Sequence, residues 1–146
     1  MPLNDEPLGR YTKYNMTDLT LLLVEDDPIL QDLYADRFRQ EGMLVLQAAD
    51  GQVAIDLIDT HPEINIVLLD LMLPKVSGYD VLIHVRQQRG HAFPVIIVSA
   101  LADIDDQARG LQLGATDYLT KGGLPPSEVV TRIKEYAKAT QKQAQK

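Results

Sequence analysis

Five side chains able to do chemistry stand at the ends of four apolar runs: LLLV leads into Glu25-Asp26, IVLL into Asp70, VIIV into Ser99 and YLT into Lys121. Such runs read as strands, and in an open parallel α/β sheet ligands bind in the crevice outside the carboxyl ends of the strands, which gathers all five at one site. Three acids crowded there raise one another's pKa unless a cation neutralises them. The donors are oxygens, with no His or Cys nearby in sequence, so Mg²⁺ fits better than zinc, and its water positions can accept phosphoryl oxygens. A carboxylate can itself attack phosphorus, and Asp70, alone at the end of its run, is the candidate nucleophile. Lys121 would set a positive charge on the phosphoryl group, and Ser99 would donate a hydrogen bond to it. Taken singly, each residue has a plainer explanation, because Asp or Glu after a strand is commonly a turn former or helix N-cap. Only the coincidence of four strand ends favours the chemistry.

The elements that must hold these residues are legible as alternating short apolar runs and helical periods from Leu19 onward, the pattern of repeated βα units. Strands are predicted at Leu19 to Val24, Met43 to Ala48, Ile64 to Leu69, Val95 to Val98 and Thr116 to Thr120. The first helix opens at Asp27-Pro28, with Leu30, Leu33, Tyr34 and Phe38 on its apolar face. The second follows Asp50-Gly51 with Val53, Ala54, Leu57 and Ile58, and closes at His61-Pro62. Pro74 and Gly78 break the chain before a third helix presenting Val81, Leu82 and Val85. Asp103 to Leu113 is the fourth helix, stopped by Gly114, and Pro125-Pro126 starts a fifth facing inward through Val129, Val130, Ile133 and Tyr136. Ile64 to Leu69 is almost unbroken in its apolarity, as expected of a central strand covered on both faces. Right-handed crossovers then give an α/β fold: a single doubly wound, five-stranded parallel sheet in the flavodoxin-like order 2-1-3-4-5, with helices on both faces. The topological switch falls between the first and third strands, where Glu25, Asp26 and Asp70 would meet.

A chain of 146 residues suits one domain around one core. Residues 18–138 are expected to form it, with a flexible N-terminal extension over 1–17 and a polar tail over 139–146. A net charge of −7 argues against a general nucleic-acid footprint, which needs clustered Lys and Arg. Without cysteine the chain has neither disulfides nor a thiolate metal site. MPLNDEPLGRYTKY lacks the apolar stretch of a signal peptide, and no apolar run approaches a membrane span, so the expectation is a cytoplasmic protein without membrane insertion. The three histidines read as surface or capping side chains: His61 beside Pro62, His91 in a turn and His84 within the third helix.

VEDD, IVLLDLMLP, VIIVSA and GATDYLTK stand in the order and spacing of a response-regulator receiver domain, which the chain resembles from about Leu19 to Ala137. That resemblance implies that Asp70 is the phospho-acceptor, with Asp26 as a direct Mg²⁺ ligand and Glu25 a ligand through water. The Met72 backbone carbonyl completes the set, and Mn²⁺ is an alternative ion. It implies transfer from a phosphohistidine on a sensor histidine kinase or a histidine phosphotransfer protein, then hydrolysis by an in-line water. The chain would be a signalling domain rather than an enzyme in the usual sense. Ser99 matches the family's switch hydroxyl and Tyr118 its switch aromatic, turning inward as the hydroxyl moves toward the phosphoryl group; an ordinary half-buried strand tyrosine is the plain alternative. By the family's habit a downstream protein partner would read the face of the fourth helix, fifth strand and fifth helix, around Arg109, Tyr118 and Lys134, with no direct contact to nucleic acid. The chain departs from the family where Gly122-Gly123 replaces the usual Pro after Lys121, loosening that loop. It departs again at Gln112 and Thr116, where many DNA-binding members carry acids. A pseudo-receiver, keeping the fold as an interaction module without phosphorylation, is the competing reading, and the intact acids, Ser99 and Lys121 weigh against it. A small Asp-nucleophile phosphatase is disfavoured by Leu71-Met72 after Asp70, and a flavodoxin-like electron carrier by the lack of a phosphate loop after the first strand. No output domain follows the last helix, which fits either a stand-alone receiver or a segment of a longer protein.

Overall fold

Short apolar runs separated by capped helices wind into one parallel sheet of order β2-β1-β3-β4-β5. The computed structural model describes residues 18–144, so the N-terminal extension expected over 1–17 lies outside the described residues. Its strands are β1 (Thr20–Val24), β2 (Leu44–Ala48), β3 (Ile66–Leu69), β4 (Val95–Ser99) and β5 (Asp117–Thr120). Its helices are α1 (Pro28–Gln40), α2 (Gly51–Thr60), α3 (Gly78–Arg89), α4 (Ile104–Gln112) and α5 (Pro126–Ala144). The sheet is the doubly wound one expected, with β3 at its centre.

Strand periodicity divides the core in two. Leu21 and Leu23 of β1, Ile66 and Leu68 of β3, and Ile96 and Val98 of β4 face Tyr34, Phe38, Val129 and Ile133 of α1 and α5. Their neighbours Leu22, Val24, Val67, Leu69, Val95 and Ile97 face Ala54, Ile58, Val81, Leu82 and Val85 of α2 and α3. Side chains alternating at period two therefore feed both layers, which is why these strands are apolar throughout.

Local chemistry sets the helix ends. Asp27 accepts from the Ile29 and Leu30 N–H groups with Pro28 at the first turn of α1, and Asp50, Ser77 and Asp103 cap α2, α3 and α4. After α1 and α4 the chain turns through Gly42 and Gly114 with φ of 93° and 107°, a conformation that favours glycine. Arg86, buried in α3 and not singled out from the sequence, donates to the Gly114 and Gly90 carbonyls at 2.8 and 2.9 Å, tying the ends of α3 and α4 together.

Two expectations of burial are corrected. Leu33 and Val53 are 39% and 38% exposed rather than buried, because Tyr34, Ala35 and Phe38 of α1 and Ala54 and Ile58 of α2 point more directly at the sheet. The stretch expected as a polar tail over 139–146 continues the last helix as far as Ala144, since Lys, Gln and Ala are strong helix formers. His84, unassigned by sequence, bridges α3 to α2 through Asp59 at 2.7 Å.

Candidate metal centre

The sheet's hydrogen-bond ladder carries on past the strand ends and fixes the backbone of the site. Glu25 N–H donates to the Ala48 carbonyl at 3.0 Å, Asp70 N–H to Val24 at 3.0 Å and Lys121 N–H to Ser99 at 2.8 Å. Glu25, Asp70 and Lys121 are thus each held by a neighbouring strand rather than hung on a free loop.

Glu25, Asp26 and Asp70 each present a carboxylate oxygen within 4.8 Å of the others. Asp26 is exposed, whereas Glu25 and Asp70 are 1% and 3% exposed. Lys121 Nζ lies 2.7 Å from Glu25 Oε1 and 2.9 Å from Asp70 Oδ2. The second oxygens are occupied as well, since Glu25 Oε2 accepts from Asp27 N–H at 3.0 Å and Asp70 Oδ1 from Met72 N–H at 3.1 Å. Burial pushes the Glu25 carboxyl above its ordinary value, against the lowering pull of its bonds to Lys121 and Asp27. For Lys121 burial pulls down, but the bonds to Glu25 and Asp70 together outweigh it and raise the ammonium, which stays charged. One lysine faces three acids, so the cluster retains negative charge and an oxygen-only donor set that could hold a hard divalent cation.

The double glycine after Lys121 does not spoil its aim: Gly123 N–H closes a turn onto the Thr120 carbonyl at 3.1 Å, and Nζ reaches both carboxylates. Ser99, fully buried, accepts from Leu101 N–H at 3.2 Å. Tyr118 already points inward, 9% exposed, and its hydroxyl donates to the Leu101 carbonyl at 2.7 Å. Burial pushes its phenol up, and the neighbouring Ser99 hydroxyl pulls the other way. Gly110 of α4 makes room for this ring, because a Cβ there would lie 3.1 Å from Tyr118 Cδ2 and 2.9 Å from Ile97 Cδ1.

The residues expected on a partner face are divided. Arg109 is exposed and stacks over the Tyr79 ring at 4.1 Å. Lys134 turns instead toward α1, pairing with Glu41 at 2.6 Å. What lies beside β5 from α5 is Tyr136, donating to Asp117 Oδ2 at 2.6 Å, with Arg132 3.7 Å from the same oxygen. Sequence reasoning placed Tyr136 on the inward face of this helix, as found, but missed its bond to Asp117, the approach of Arg132, and what Gly51 and Gly78 do beyond starting helices. The Asp50-Gly51 and Ser77-Gly78 pairs were the available signal.

A five-stranded sheet with an acidic pocket, a lysine and a buried hydroxyl at its carboxyl edge defines a receiver-type signalling domain. The model of the response regulator receiver domain matches residues 21–134, and the chain belongs to that family. The transcriptional regulatory protein CpxR of Escherichia coli (strain K12) is 42% identical over 114 residues, covering 78% of this chain and 47% of that protein. The probable transcriptional regulator ycf27 of Guillardia theta is 35% identical over 125 residues, 85% of this chain and 47% of that one. Among solved structures, the receiver domain of the Francisella response regulator 1452 is 31% identical with a TM-score of 0.76, over 84% of this chain and 98% of that one. The chain spans about half the length of the regulators it matches. It is a receiver domain of the two-component response-regulator kind. No helix among the described residues is long and apolar enough to cross a membrane.

Proposed function

We propose that this domain, in the cytoplasm, accepts a phosphoryl group on Asp70 from a phosphohistidine of a sensor histidine kinase or a histidine phosphotransfer protein, and passes the change to a downstream protein partner. The observation that carries this is Asp70 itself, buried at the central strand with Lys121 Nζ 2.9 Å from one oxygen and Met72 N–H 3.1 Å from the other. Glu25, Asp26 and Asp70, with the Met72 carbonyl, would hold Mg²⁺, or Mn²⁺ in its place, which supplies positive charge to the transferring group. An Asp70 oxygen attacks phosphorus as the bond to the imidazole nitrogen breaks, and the ring, already protonated on its other nitrogen, departs as neutral imidazole; later a water attacks the same phosphorus, the carboxylate is released and the water's protons leave with the phosphate. Lys121 pairs with the phosphoryl oxygens, and Ser99 exchanges its bond from Leu101 for donation to one of them. The gain of nearly two negative charges there is what shifts the population of the α4–β5 face. Where relatives are transcriptional regulators, contact with DNA would belong to an effector domain outside this chain.

Intact mass after incubation with Mg²⁺ and acetyl phosphate tests the proposal. One phosphoryl group should add to the wild-type chain, and none to Asp70→Asn or to wild type in chelator. No addition to a folded wild-type chain would instead mark a pseudo-receiver.

A further inference from the structure

The segment between β3 and α3, which carries both Asp70 and Met72, packs against the start of α2 with no slack. A Cβ on Gly51, the first residue of α2, would lie 2.3 Å from the Val76 carbonyl oxygen, 2.7 Å from its Cβ and 2.9 Å from its carbonyl carbon. These atoms belong to the backbone or are fixed to it, so no rotamer relieves the overlap, and normal contact would require Val76 to retreat by about 1 Å. Asp50 grips the same segment by charge. Its carboxylate caps α2 through Val53 N–H at 2.9 Å and meets Lys75 Nζ at 3.3 Å. Its pKa is lowered first by that cap and then by Lys75. Lys75 has φ of 70°, a left-handed conformation that a residue with a Cβ holds only where its surroundings over-determine it.

At the far end Gly78 starts α3 directly against the acceptor. A Cβ there would lie 2.4 Å from the Asp70 carbonyl oxygen and 2.5 Å from Leu71 Cα, and its N–H donates to Leu71 at 3.0 Å. Between these ends Leu73 N–H bonds Leu71 and Val76 N–H bonds Pro74, at 3.2 and 2.9 Å. These bonds, with that of Gly78 to Leu71, are the route by which a push on Val76 would reach Met72 and Asp70.

We propose that the Asp50-Gly51 start of α2 is a positioning clamp for the acceptor loop: by admitting Val76 and tying Lys75, it sets where Asp70 and Met72 stand relative to Glu25 and Asp26. This rests on the phosphoryl-accepting function proposed above. Both clamp residues act through the loop, so the decisive readout is metal binding in the absence of any phosphoryl donor.

Calorimetric titration of the full chain with Mg²⁺ comes first, followed by the rate of phosphorylation by acetyl phosphate. Gly51→Ala should weaken Mg²⁺ binding roughly tenfold and slow phosphorylation by about tenfold to a hundredfold, the scale expected for a misplacement near 1 Å. Ile58→Val, a cavity-forming change buried on the same helix, should keep the wild-type affinity. Asp50→Asn retains the cap, because Asn caps as well as Asp, and loses the charge facing Lys75; it should weaken Mg²⁺ binding about twofold to threefold. Wild-type affinity and rate in folded Gly51→Ala, or in Asp50→Asn where Gly51→Ala does not fold, would overturn the clamp, as would an equal loss in Ile58→Val. Should the wild-type chain itself neither bind Mg²⁺ nor take up a phosphoryl group, the underlying function fails, a result distinct from those.

Discussion

Lys121 is the residue on which the resting site balances, because its ammonium is the charge that the buried Glu25 and Asp70 share, at 2.7 and 2.9 Å. Removing it leaves two buried carboxylates uncompensated, which is more costly than the net worth of the pair. In Mg²⁺-free buffer at neutral pH, Lys121→Met should lose about 2 kcal/mol of stability, a figure reduced for the partial exposure of the lysine. Added Mg²⁺ should restore part of that loss, since a ligand that binds only the folded state stabilises it. Urea midpoints with and without Mg²⁺ measure both effects, and a variant as stable as wild type in chelator would contradict the charge balance. Asp27, adjacent to the acidic pair, has a different task. Its carboxylate accepts from Ile29 and Leu30 N–H at 2.9 and 3.3 Å. Asp27→Ala should therefore cost about 1 kcal/mol in urea unfolding, as loss of a cap does, while leaving phosphorylation of Asp70 in place.

Between elements, the contact of α4 with β5 decides the orientation of Tyr118. The ring fits because residue 110 has no side chain, and its hydroxyl is held by the Leu101 carbonyl at 2.7 Å. Gly110→Ala should push the ring outward, break that bond and cost about 1 to 3 kcal/mol by overpacking. Nitration of Tyr118, followed by peptide mapping, should rise in Gly110→Ala relative to wild type; equal nitration would show that the ring stays in despite the added methyl. Arg109 lies over Tyr79 on α3, whereas Lys134 leans on Glu41 at the end of α1.

At the scale of the whole molecule, the last helix is fastened across β5 by a group that titrates. Burial first, and then its bond to Asp117, push the Tyr136 phenol up to about 12 from 10.0. A folded value above the unfolded one means that the folded state holds the proton more tightly. The contribution is therefore complete below pH 10.0 and is lost as pH rises toward 12. Wild type should lose stability more steeply across that window than Tyr136→Phe, by urea midpoint at each pH; parallel curves would rule out this linkage. The chain's other tyrosines are present in both proteins, so the difference isolates residue 136.

The strand ends, the order of the sheet and the gathering of Glu25, Asp26, Asp70 and Lys121 were legible because each depends on local pattern. An apolar run sets a strand, alternation covers both its faces, and parallel connections bring every carboxyl end to one edge. Caps were equally local: Asp27 with Pro28, and the stops at Gly42 and Gly114, need only their own neighbours. Rotation of the helices about their axes was less legible, and Leu33 and Val53 are more exposed than a simple apolar count implies. Only the tertiary structure decided that Tyr118 points inward, that Arg86 joins α3 to α4, and that Gly51 and Gly78 admit the acceptor loop. Those facts depend on close approaches between residues distant in sequence, where a few tenths of an ångström separate contact from overlap and no run of residue types records the distance.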